Sequence, residues 1–159
     1  METYLESINQ LIQIFVRRFG VLNATCCDEC CGEKVSMAQS HILFEVARNG
    51  NASIQRVAEE LGIDVTTFSR QVKSLEEKGL LAKKVSPDDR RVSLLYLTDE
   101  GRQVLDRINH FMSIKLENIF SRMTEFERGS VARSLALLND SIAAGLKSSH
   151  EGDIIACCK

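Results

Sequence analysis

Two groups of residues in this 159-residue chain have types and spacings suited to chemistry. The first is cysteine. Four of the six stand as Cys26-Cys27-Asp28-Glu29-Cys30-Cys31 and two as Cys157-Cys158. Cys27-x-x-Cys30 has the spacing of half a structural metal site, and a tetrahedral four-thiolate shell needs a second pair to close it. Cys157 and Cys158 could supply that pair, because the tail from Lys147 spans roughly 30 Å at about 3.3 Å per extended residue. Thiolates are soft, so the expected occupant is zinc, copper(I), cadmium, arsenic(III) or an iron–sulfur cluster rather than a hard cation. Thiol oxidation is the main rival. Asp28 and Glu29 set negative charge beside the thiols, which disfavours the thiolate needed for oxidation and favours a bound cation. A third reading gives the cysteines no signalling role. Among the histidines, His41 and His110 read as packed or surface residues, and His150 in the tail is a weak candidate ligand.

The second group is a polar helix face followed by a charged hairpin tip. Asp64 is a good N-cap, and Val65, Phe68, Val72 and Leu75 recur at i, i+3, i+7 and i+10 as a buried stripe. Thr66, Thr67, Ser69, Arg70, Lys73 and Ser74 lie off that stripe. Hydroxyls serve phosphates or base edges, and Arg70 carries the one fork there suited to guanine. Farther on, Pro87-Asp88-Asp89-Arg90-Arg91 makes a charged tip at which an arginine can enter the narrow, electronegative minor groove of DNA. Arg91 is the expected inserted side chain, with Asp89 orienting it and Arg90 beside it. A solvated helix face and an exposed salt bridge are the plainer alternatives.

The charge balance agrees with the DNA reading. The whole chain carries a formal −2, yet residues 65–92 hold seven Lys or Arg against four Asp or Glu, a local +3. Where the charge lies matters more than its sum. The start of the chain has no basic segment followed by an apolar stretch, and no apolar run approaches the roughly 18 residues a membrane span needs. The protein is therefore expected to be cytoplasmic, with no membrane partner, and disulfides are unfavoured there.

The elements that must position these residues are mostly helices, since Pro87 is the one proline. Leu5, Ile8, Ile12, Phe15 and Phe19 form an apolar stripe on a first helix that Gly20 is expected to end, with residues 23–34 a Cys-rich loop. Ser36-x-x-Gln39 is a capping box that opens a second helix, Met37 to Arg48. Asn49-Gly50-Asn51 is a turn. Ser53 caps a third helix, Ile54 to Leu61, and Gly62-Ile63-Asp64 turns into the fourth. Leu80 to Val85 and Val92 to Leu97 are β-prone runs of a hairpin. Thr98 caps a long fifth helix, and Thr124-Glu125-Phe126-Glu127 is a capping box for a sixth carrying Leu135, Leu138, Ile142 and Leu146. The tail 147–159 is expected to be mobile.

This reads as a mainly α fold (α+β), residues 1–159 forming a single domain. Helices three and four make a helix-turn-helix, whose second member enters the major groove. The motifs Val57-Ala58-x-x-Leu61-Gly62, Thr67-Phe68-Ser69-Arg70, Leu75-Glu76-x-Lys78-Gly79-Leu80, Pro87-x-Asp89-Arg90-Arg91 and Leu97-Thr98-x-x-Gly101 resemble the MarR family of winged-helix regulators, in order from about residue 5 to 146. The resemblance implies a winged helix-turn-helix over 36–97. It further implies an obligate homodimer held by interlocking helices from 1–35 and 98–146, a pseudopalindromic double-stranded DNA operator, and repression relieved by a ligand or by thiol chemistry. The two cysteine groups are not general features of that family. A small thiol or metal-handling enzyme would place Cys-x-x-Cys in a strand-helix context, whereas a long helix precedes it here. No Gly-rich phosphate loop, nucleophile elbow or His-Glu-x-x-His is present, and the chain reads as no enzyme. A dimerising module without DNA is the remaining alternative.

Overall fold

The computed structural model describes residues 2–31 and 35–148, with side chains for 3–25 and 35–145. It contains α1 (Glu2–Cys31), α2 (Met37–Asn49), α3 (Ile54–Leu61), α4 (Val65–Glu77), β1 (Leu81–Val85), β2 (Ser93–Leu97), α5 (Asp99–Phe120) and α6 (Glu125–Ser148). The mainly α winged architecture expected from the sequence is the one observed. The chain divides into two compact units, Met1–Ile114 and Lys115–Lys159. Every buried apolar residue described belongs to the first unit, and none lies beyond Ile108.

Caps set the element boundaries in the first unit. Ser36 Oγ accepts from the Gln39 amide and Gln39 Oε1 from the Ser36 amide, both at 3.3 Å, which completes the capping box of α2. Ser53 Oγ accepts from the Arg56 amide at the start of α3, and Gly62 closes that helix in the left-handed region at φ 63°. Gly79, at φ 72°, turns the chain from α4 into the hairpin. Thr98 accepts from the Gly101 amide at 3.0 Å and donates to the Gly79 carbonyl at 2.6 Å, fixing the start of α5 to the end of α4.

Ile42, Leu43, Val57, Phe68, Val72, Leu75 and Leu95 are fully buried and form one core with Leu80, Leu81, Leu97, Val104 and Ile108. Each large side chain so buried contributes about 1.5–3 kcal/mol relative to exposure. β1 and β2 pair antiparallel, Leu81 opposite Leu97 and Val85 opposite Ser93. The hairpin has a third partner: Ser53 bridges Leu94, and the Leu95 amide donates to the Ala52 carbonyl at 2.9 Å. The wing is thereby stitched to the start of α3. Gly101 explains the Leu-Thr-x-x-Gly motif, because a Cβ there would run into the Leu80 carbonyl, 3.0 Å from its carbon and 3.3 Å from the Leu80 Cα.

The first helix departs from expectation. Gly20 does not end it and residues 23–31 are not a loop, since α1 continues to Cys31. A lone glycine inside a helix costs only about 1 kcal/mol, and no proline or left-handed turn follows it. Residues 32–34 of the expected loop lie outside the described residues, as does the expected tail except Lys147 and Ser148, which finish α6.

In the second unit, Thr124 and Glu127 form the expected capping box, the Thr124 amide donating to Glu127 Oε2 at 2.7 Å and Thr124 Oγ1 accepting at 3.3 Å. Hydrogen bonds from Thr124 hold the Glu127 carboxyl below its ordinary pKa. α6 contains no buried residue among those described. Leu137, Leu138 and Ile142 are exposed on it.

Candidate nucleic-acid interface

α4 is held at both ends and on its inner face, which leaves one face outward. At the N-terminus the Asp64 carboxylate accepts from the amides of Thr66 at 2.8 Å and Thr67 at 3.2 and 3.3 Å. Hydrogen bonds from Thr67, and then from Thr66, hold the Asp64 carboxyl below its ordinary pKa. On the inner side, the buried amide of Gln39 reaches across from α2. Its Nε2 donates to Gln71 Oε1 at 3.3 Å and to Ser74 Oγ at 3.2 Å, while its Oε1 accepts from Lys78 Nζ at 2.8 Å. The sequence identified Gln39 as a cap alone; its reach to α4 depends on packing between elements distant in the chain and left no local signal.

Of the six side chains expected on the outer face of α4, Thr66, Thr67, Arg70 and Lys73 are exposed there. Lys73 sits 4.0 Å from Glu77, a weak surface pairing. Ser69 is half-buried. Ser74 is corrected: it is half-buried and turned toward α2, where Gln39 holds it. Val65 is also corrected, being 48% exposed and not part of the buried stripe. As the first helical residue it lies past the edge of the core, where the partly buried Ile63 packs instead.

The wing tip is ordered by local hydrogen bonds. The Ser86 amide donates to the Val92 carbonyl at 2.8 Å and the Val92 amide to the Asp89 carbonyl at 3.0 Å. Asp89 Oδ1 accepts from the Arg91 amide at 2.9 Å, so Asp89 orients the Arg91 backbone and makes no ion pair with its guanidinium. Arg91 lines a surface groove of about 270 Å³ with Ser53, Ile54, Gln55 and Val65. The starts of α3 and α4 thus share one groove with the wing arginine. Ser53 and Gln55 at this groove escaped the sequence reading because nothing local marks them beyond the cap.

Pairing within the chain leaves few free cations nearby. Lys83 binds Glu76 at 2.7 Å, Lys84 lies 5.9 Å from the centre of the Tyr96 ring, and Lys78 is taken by Gln39. Arg70 on α4 and Arg90 and Arg91 on the wing are exposed and in no ion pair. With the weakly paired Lys73 and with Lys84, which makes no ion pair, they are the exposed cations of residues 65–92 best placed to meet a polyanion.

A sequence model described as the MarR family matches residues 34–92, the span from the start of α2 to the wing. The regulator BilQ of Clostridioides difficile is 26% identical over 115 residues, covering 72% of this chain and 78% of that protein. Over that span the chain is similar to the MarR family. A further relative, described as a candidate transcriptional regulator for the hcr operon in Thauera aromatica, is 33% identical over 90 residues, and the chain spans 54% of its length. Among solved structures, FabT of Streptococcus pneumoniae in complex with DNA superposes with a TM-score of 0.77 at 22% identity, over 88% of this chain and 98% of that one. MarR itself from E. coli gives 0.71 at 18% identity over 82% and 94%. These likenesses place the winged-helix fold of those proteins on this chain, and the relatives named are described as transcription regulators.

Two other sets of residues were expected to do chemistry. Cys26, Cys27, Cys30 and Cys31 lie within α1, with their side chains outside the described set, and Cys157 and Cys158 fall outside it altogether. Among the described residues no group of three or more His, Cys, Asp or Glu is placed to hold a metal. The histidines are exposed at 41 and 110, and His41 Nε2 lies 2.9 Å from Asn23 Nδ2 of α1. That pair borders a second cavity, of about 290 Å³, lined chiefly by apolar side chains of α1, α2 and α5 such as Phe19, Phe44, Leu105 and Met112.

Proposed function

We propose that this protein is a cytoplasmic transcriptional repressor that binds a pseudopalindromic duplex operator as a homodimer. The observation that carries the reading is the shared groove: Arg91 of the wing stands with Ser53, Ile54 and Gln55 of the α3 start and Val65 of the α4 start, and α4 carries Thr66, Thr67 and Arg70 exposed. α4 enters the major groove, Arg70 contacts a base edge, the threonine hydroxyls meet phosphate or base, and Arg91 enters the minor groove. The homodimer is supported by Leu5, Leu11 and Phe15 of α1, each 48–63% exposed, and by the exposed leucines of α6. Apolar faces of that extent on each unit call for a partner surface, and a second copy is the commonest solution. The signal enters at the α1 cysteines through a soft metal, metalloid or cluster, with Cys157 and Cys158 as auxiliary ligands; thiol oxidation is the competing chemistry.

A mobility-shift titration with the protein's own promoter region tests this. Arg91→Ala is expected to weaken binding severely, and Arg70→Ala to cost about 1–3 kcal/mol with relaxed base preference. Wild-type affinity in either variant at physiological salt would refute the contact assigned to it. The second cavity supports an alternative signal, an organic ligand seated against Phe19, Phe44 and Met112 and bonded by the Asn23–His41 pair. Retained induction in a protein lacking all six cysteines would favour that route.

A further inference from the structure

We infer that Cys26, Cys27, Cys30 and Cys31 form a one-helix site for a trivalent metalloid, taking arsenite as three thiolates from a single subunit, without Cys157 or Cys158. The inference deepens the signal assignment made under the proposed function and rests on it only for the consequence to DNA binding. Its basis is the continuation of α1 to Cys31, which places the four cysteines at positions i, i+1, i+4 and i+5 of one helix. At 3.6 residues per turn they fall within about 140° of the circumference and about 7.5 Å of axis. Cys26 and Cys30 are one turn apart, as are Cys27 and Cys31, the spacing at which helical residues share a face. Asp28 and Glu29 take register positions outside that arc.

A single helix offers donors from one side. Cysteine is a short side chain, so donors carried on 140° of one helix cannot surround an ion. Tetrahedral zinc or cadmium needs ligands on all sides, an iron–sulfur cube needs them at its separate corners, and copper(I) spreads its thiolates to opposite sides. Arsenic(III) is pyramidal. Its three bonds occupy one hemisphere and its lone pair the other, which matches donors arriving from one side. Charge points the same way. A four-thiolate zinc complex carries −2 and would lie in a segment already holding Asp28, Glu29 and Glu33, whereas the arsenic trithiolate is neutral. The step is a condensation without redox change: As(OH)3 and three thiols form three As–S bonds, three As–O bonds break, and each thiol proton leaves with a hydroxide as water.

Two compact triads exist in this register, Cys26/Cys27/Cys30 and Cys27/Cys30/Cys31, and both contain Cys27 and Cys30. The test uses the full reduced chain with arsenite, counting free thiols and reading the arsenic shell by X-ray absorption. Three thiols are expected to disappear per arsenic, with three sulfur neighbours and no oxygen. The double variant Cys157→Ser/Cys158→Ser should behave as wild type, and Cys26→Ser or Cys31→Ser should each keep a three-sulfur shell. Cys27→Ser or Cys30→Ser should lose it and bind at least tenfold more weakly. A wild-type shell of two sulfurs and an oxygen, dependence on the tail cysteines, or equimolar zinc blocking arsenite uptake would each overturn the inference. Operator binding is measured separately. Three-sulfur binding that leaves operator affinity unchanged upholds the site and refutes its signalling role, while failure to bind arsenite with operator affinity intact refutes the site alone.

Discussion

Replacing Gly101 by alanine should damage this protein more than any surface change, although Gly→Ala within a helix ordinarily stabilises. The added Cβ would collide with the Leu80 carbonyl, with that carbonyl's carbon at 3.0 Å and the Leu80 Cα at 3.3 Å. Both partners are backbone, so neither can rotate away, and α5 has to withdraw by more than about 1 Å to bring the carbonyl oxygen back to ordinary contact near 3.5–4.0 Å. Withdrawal stretches the 3.2 Å bond from the Thr98 amide to the Leu80 carbonyl and the bond from Thr98 Oγ1 to the Gly79 carbonyl. Each of the two is worth about 0.5–1.5 kcal/mol, overpacking adds about 1–3 kcal/mol, and the helix preference of alanine returns about 1 kcal/mol. The net loss is about 3 kcal/mol, or roughly 6–12 °C in Tm for a chain of this size. Thermal unfolding followed by circular dichroism at fixed protein concentration measures it. Gly20→Ala is the control: nothing stands within 4 Å of its Cβ position, so about 1 kcal/mol of stabilisation is expected. An unchanged Tm for Gly101→Ala would show that α5 yields freely and that the close approach does not fix the glycine.

Gln39→Ala removes a buried amide that bonds Gln71, Ser74 and Lys78, and should cost about 2–4 kcal/mol at typical hydrogen-bond values, with weaker operator binding from a displaced α4; an undiminished denaturation midpoint would rule out the brace. The Asp64 pKa is lowered on folding, so its contribution is full above the unfolded pKa of about 3.9 and is lost as pH falls through the lower folded value. The Tm gap between wild type and Asp64→Ala should be constant above about pH 5 and close progressively below it, and a gap independent of pH would contradict the cap. Sedimentation at micromolar concentration should give a dimer, and a stable monomer would leave the exposed apolar faces of α1 and α6 unexplained.

The capping residues were legible because their signals are local. Ser36 with Gln39, Ser53, Asp64, Thr98 and Thr124 with Glu127 each satisfy amides within three residues of themselves. The outward Thr66, Thr67 and Arg70 followed from helical periodicity, as did the buried Phe68, Val72 and Leu75. Periodicity does not supply the edge of the core, where Ile63 and not Val65 packs. Ser74 falls on the outward face by periodicity, and only a side chain from α2 turns it inward. Gly20 is a poor marker of the end of α1, because its cost is small against the length of helix on either side. The bridge from Ser53 to Leu94 joins segments some forty residues apart and has no sequence signature.

The double use of Gln39 has a consequence for how the molecule breathes. One carboxamide caps the first turn of α2 and braces α4, so opening of one helix disturbs the other. Fraying at Ser36 frees the amide from Gln71, Ser74 and Lys78, and lifting α4 leaves the buried Gln39 Nε2 without its partners. Backbone amides at the start of α2 and along the second half of α4 should therefore exchange with deuterium as one cooperative unit, with a shared opening free energy well above that of ordinary helix ends.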